Sequence, residues 1–113
     1  MTDAEFEELF ENTLISIEEA LEPVELLDVE VNSGGILTIE FANQSKIIIN
    51  KQTPLHQLWV AAKAGGFHLN YDPITATWKT LEAQNQTSPE ELFNLLARLC
   101  SEQAGQTIQL NKS

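Results

Sequence analysis

The first thirty residues contain no base. They hold eleven acidic side chains and neither Lys nor Arg, while the rest of the chain balances six acids against six bases. The whole formal charge of −11 therefore sits in the first quarter of a 113-residue chain. Other absences narrow the function. A single cysteine, Cys100, cannot form an internal disulfide and fits a reducing compartment. No apolar run approaches the ~20 residues needed to span a bilayer, and the acidic start predicts neither a secretory signal nor a transit peptide. With a pI near 4.3, nucleic acid and anionic membranes are poor partners, because both require clustered Lys and Arg. Cations and basic protein surfaces are good ones. There is no phosphate-cradling glycine loop, no GxSxG elbow, no HExxH and no CxxC pair. His56 and His68, the only histidines, fall at outward or turn-proximal positions. Cys100 falls on the apolar face of a predicted helix, so it reads as a structural thiol and not as half of a Cys–His dyad. No enzyme is expected.

The length suits one domain over residues 1–113, enough for a single hydrophobic core. Phe6, Leu9, Phe10, Leu14, Ile17 and Leu21 recur at three- and four-residue steps, which predicts an amphipathic helix over 3–22 ended by Pro23. Period-two segments follow: "LLDVEV", "ILTIEF", "KIIIN", "LHQLWVAA", "FHLNY" and "ATWKTL", separated by Gly, Pro, Asn or Asp turns. The polar run "EAQNQT" ends them. In "SPEEL", Ser88 is expected as N-cap, Pro89 in the first position and Glu91 closing a capping box. Leu92, Leu95, Leu96, Leu99 and Cys100 give this second helix its buried face, and Gly105 ends it. The predicted fold is α+β: a two-layer sandwich with two helices on one face of a five- to six-stranded, mainly antiparallel sheet. The other face meets solvent or a partner.

At 100° per residue, Glu7, Glu8, Glu11, Glu18, Glu19 and Glu22 occupy the side of the first helix opposite its apolar stripe. Glu25, Asp28 and Glu30 extend the patch to the edge of the first strand. Like charges three or four apart oppose a helix by roughly 0.2–0.5 kcal/mol each, and Glu18, Glu19 and Glu22 lie at the end the helix dipole disfavours. One reading is a solvated face that keeps the protein soluble. The sharper one is a shallow set of oxygen ligands that hold hard divalent cations weakly. Trp59 is the second unusual residue. If Leu58 and Val60 face the helices, then Gln57, Trp59 and Ala61 stand on the uncovered face, where Trp59 is a candidate interface anchor. A register slipped by one residue would bury it. Trp78, between threonines, reads as core.

The segment "GGILTIEFANQSKIIINKQTPLHQLWVAAKAGGFHL", residues 34 to 69, closely resembles the frataxin family and its bacterial branch. Its most telling piece is "INKQTPLHQLW" with the Gly-Gly turn after it, and "IEEALE" in the first helix also matches. The resemblance implies a cytoplasmic bacterial protein that binds ferrous and ferric iron and serves iron–sulfur cluster assembly. It also implies docking on the cysteine desulfurase and the assembly scaffold, as a monomer that iron can drive to oligomerise. The family's iron-binding ridge falls on Glu11, Glu18, Glu19, Glu22, Glu25, Asp28 and Glu30. Its partner-contacting tryptophan falls on Trp59, with Asn50, Gln52 and Gln57 nearby and Glu18, Glu19 and Glu22 sharing the contact. Bacterial relatives often carry an aspartate run after the first helix, whereas "EPVELLD" is interrupted by Pro23, Val24, Leu26 and Leu27, which implies lower iron capacity. Two other readings stand beside this one: a ferroxidase or iron-storage protein that mineralises iron on the ridge, and an acidic interaction module with no metal role.

Overall fold

The helix start is set by a local device that the charge count hides. In the computed structural model, which describes residues 1–80 and 89–110, α1 spans Asp3–Leu21. Thr2 accepts from the Glu5 N–H while the Glu5 carboxylate accepts from the Thr2 N–H, a reciprocal capping box. Phe6, Phe10, Leu14, Ile17 and Leu21 are buried, as their spacing predicts.

Among the described residues six strands follow in simple antiparallel order: β1 Asp28–Val31, β2 Leu37–Glu40, β3 Lys46–Gln52, β4 Gln57–Ala62, β5 Gly65–Asp72 and β6 Thr77–Thr80. A 3-10 turn at Thr53–Leu55 delays β4, so the strand starts at Gln57 and not at Leu55. The turn closes on His56, a left-handed residue with φ 51°. Its ring stacks on Phe6 at 5.1 Å and its Nε2 lies 2.7 Å from the Asp3 carboxylate, which fixes the turn against the start of α1.

The second helix, α2, spans Leu92–Ala104 and ends on Gly105 at φ 73°, a backbone that favours glycine. Its start corrects the expected capping box. Glu91 is itself the N-cap, accepting from the Phe93 and Asn94 N–H groups, and not the third helical residue. Glu90 and Glu91 instead extend along β6: the Thr80 N–H donates to the Glu90 carbonyl at 2.9 Å, and Lys79 bridges Glu91. Backbone pairing along the sheet outweighs a capping preference of about 1 kcal/mol. Ser88 and the polar run 82–87 lie outside the described residues.

Both helices pack on one face. Leu37, Ile39, Ile47, Ile49, Leu58, Val60 and Leu69 meet them from the sheet, and Leu92, Leu95, Leu96, Leu99 and Cys100 from α2. Gln103 ties the layers together. Its amide donates to Ser45 Oγ at 3.0 Å and its carbonyl accepts the Lys63 N–H at 2.9 Å, joining α2 to two separate hairpin turns.

Candidate functional site

Each strand turns alternate residues away from the helices, so the register decides what stands on the open face. Asn50 pairs with Trp59 and Trp59 with His68; Gln52 pairs with Gln57 and Gln57 with Asn70. Leu58 and Val60 are buried, and Trp59 is on the open face, as expected. It does not stand bare. The His68 ring stacks on it at 4.2 Å, 11° from parallel, and its indole N–H donates to Gln57 Oε1 at 2.9 Å. His68 is thus part of this patch, which the sequence reading missed. Its only signal was the register across the Lys63–Gly66 turn. Trp78, by contrast, is 4% exposed, packs edge-on against Phe6 and Tyr71, and donates to Thr13 Oγ1 at 3.0 Å.

The acidic residues divide into groups. Glu18, Glu19, Glu22 and Asp28 line a shallow groove of about 470 Å³ between the C-terminal half of α1 and β1. Glu11 and Glu18 border a second, of about 420 Å³, toward the β1–β2 turn. Asp28, which borders both sides of β1, and Glu30 also line the other side of the strand beside Glu40, directly across from Asp28 and 4.0 Å from the Lys46 ammonium. Glu40 therefore joins the patch, another residue the linear reading left out. Glu25 sits in the turn after α1 and lines none of these grooves. All seven expected ridge residues are solvent-exposed.

Glu7, expected on the acidic side of α1, lines the second groove together with Lys51. It faces β3, where it takes the Lys51 ammonium in an ion pair and accepts from Thr53 Oγ1 at 3.0 Å. Tertiary folding thus supplies a base that the first thirty residues lack. The ammonium and hydroxyl hold the Glu7 carboxyl below the usual carboxylate range. A depressed folded pKa gives stability that is present above the unfolded value, about 4.3, and is lost as pH falls through the folded one. Wild type should therefore lose melting temperature over that acid window relative to Glu7→Gln, with the two curves converging at lower pH. A flat difference between the two melting-temperature curves would show that the pair does not hold in solution.

The donor set is all carboxylate on exposed backbone positions. Among the described residues no three His, Cys, Asp or Glu side chains converge as a metal cage. Such a surface suits labile attraction of hard cations over several oxygens. Cys100 is fully buried, and desolvation pushes its thiol up to about 12, so it is protonated and unreactive at neutral pH. No helix among the described residues is long and apolar enough to cross a membrane.

The family model for a frataxin-like domain matches residues 1–106. This chain belongs to the frataxin family. The frataxin-like chain is 43% identical over 111 residues to the iron-sulfur cluster assembly protein CyaY of Dechloromonas aromatica, covering 97% of one and 99% of the other. It is 41% identical over 110 residues to the CyaY of Pseudomonas aeruginosa, covering 96% of each. The solved frataxin structure from Psychromonas ingrahamii superposes with a TM-score of 0.82 at 32% identity, over 99% of this chain and all of that one. The two described helices and the six described antiparallel strands are therefore arranged in the frataxin fold.

Proposed function

We propose that this protein serves iron–sulfur cluster assembly as a non-enzymatic, iron-binding regulator of the cysteine desulfurase, working in the bacterial cytoplasm. The observation that carries this reading is the ridge itself: Glu18, Glu19, Glu22 and Asp28 gathered along one groove, on a helix whose sequence holds no Lys or Arg. Iron is the cargo, held weakly by these carboxylates, and other divalent cations compete for them. The same acids dock on a basic surface of the desulfurase, while Trp59, Asn50, Gln52 and Gln57 supply contact from the open face. The two regions are close: three strand spacings, about 14 Å, separate β1 from β4. The names of the relatives support the assignment to cluster assembly, and the buried, protonated Cys100 supports a role without covalent chemistry.

Anaerobic ferrous titration followed by desulfurase pull-down, with and without iron, tests this. The variant carrying Glu18→Gln, Glu19→Gln and Glu22→Gln should bind iron more weakly yet melt higher in chelator. Each like-charge pair removed returns roughly 0.2–0.5 kcal/mol, and the last turn of α1 has no basic residue to offset the dipole. Unchanged iron binding would remove the ridge as the iron site. Oxygen consumption with turnover would favour the ferroxidase or storage reading.

A further inference from the structure

The two edges of the sheet are treated differently. At β6, residues 90 and 91 lie alongside the strand and take its outward backbone bonds. At β1, no described strand pairs on the outer side. The Asn32 N–H donates to the Ile36 carbonyl at 3.1 Å, which fixes the alternation of the ladder. Glu30 and Asp28 therefore bond inward to Thr38 and Glu40, while Val29 and Val31 each turn an N–H and a C=O outward.

We propose that this β1 edge accepts an extended, basic segment of a partner protein, which pairs with Val29 and Val31 and adds a strand to the sheet. It rests on the reading of the ridge as a docking surface for a basic protein, and it specifies how that docking is made.

Three observations converge on such an occupant. Among the described residues nothing takes the outward backbone bonds of this edge, which are those strand addition uses. Beside it runs a floor of mixed polar and apolar residues, in which Ile15 and Val31 are the exposed apolar ones. The two grooves along α1 share Ile15, which is 48% exposed in the middle of the acidic face, and Val31 at the far end is 39% exposed. An added strand would direct alternate side chains onto this floor. The charge on both sides then selects the rest: Glu18, Glu19 and Glu22 on the helix side, and Asp28 and Glu30 on the open side, where Glu40 beside them already pairs with Lys46 at 4.0 Å. Acidic strands are repelled, and so is a second copy of this edge, since like charges directly opposite are unfavourable. Lysine or arginine alternating with an aliphatic residue satisfies the backbone, the floor and the charge together. Charge protection of the edge alone would explain the acids but not the exposed Ile15 among them.

A seven-residue peptide of alternating lysine and valine is a suitable probe, with two versions N-methylated at either the valines or the lysines. Amide hydrogen exchange in the full protein should slow at least tenfold at Val29 and Val31 when the peptide is saturating. Glu30, already bonded inward, should change little. One of the two N-methylated peptides should bind at least tenfold more weakly, because it blocks the paired side. Equal binding of all three peptides, with Val29 and Val31 still exchanging freely, would overturn strand addition while leaving a basic-partner ridge in place. Binding by none of them would overturn both.

Discussion

Replacing Trp78 with alanine is expected to remove about 3–5 kcal/mol of stability, a large fraction of the ~5–15 kcal/mol that holds a domain of this size. The ring is 4% exposed and packs edge-on against Phe6 and Tyr71, which join α1 to β5 and β6. Truncation leaves a cavity there that the backbone ladders on either side cannot close. It also deprives Thr13 Oγ1 of a donor, while that hydroxyl still donates to the Leu9 carbonyl. Trp78→Phe separates the two effects. It keeps most of the ring packing and loses the indole hydrogen bond, a cost of about 1–2 kcal/mol. Urea unfolding curves of both variants measure the difference. A loss below about 1 kcal/mol for the alanine variant would show that the junction of α1 with the sheet relaxes freely.

Trp59→Ala should behave in the opposite way. Its ring lies on the open face, so truncation leaves no core cavity. The loss is the stack with His68 and the bond to Gln57, about 0.5–1.5 kcal/mol for an aromatic pair. Desulfurase binding should fall far more, since anchor tryptophans commonly contribute 2 kcal/mol or more, roughly thirtyfold in affinity. His68→Ala should have an intermediate effect, leaving the indole in place but free to turn. Calorimetric titration of the three proteins with the desulfurase gives the order. If Trp59→Ala binds as wild type does, the open face is not the docking surface and the ridge alone remains.

His68 shows what a linear reading could and could not reach. Alternation around Leu58 and Val60 placed Trp59 on the open face, because side-chain direction in a strand repeats every two residues whatever the strand pairs with. The neighbour that covers Trp59 depends on where β5 lies against β4, and that is set by how the Lys63–Gly66 turn closes. Glu7 shows the same limit on α1. Its helical angle placed it with the acids, but the angle says nothing of Lys51, which arrives from β3. At α2, a strong local N-cap signal was overridden because residues 90 and 91 found partners on β6.

By itself the sequence determined the helix–sheet–helix order, the buried stripe of each helix, the alternation of side chains along the strands, and the one-sided charge of the first thirty residues. These follow from periodicity and composition, which are local. Only the tertiary structure decided which acids share a groove, that Glu7 is neutralised and Glu40 brought beside Asp28, that His68 covers Trp59, and that no described strand pairs on the outer side of β1 while residues 90 and 91 lie along β6. Each of these is a contact between segments far apart in the chain. Such contacts depend on register and on how the layers are packed, and neither is written in the spacing of residues along one segment.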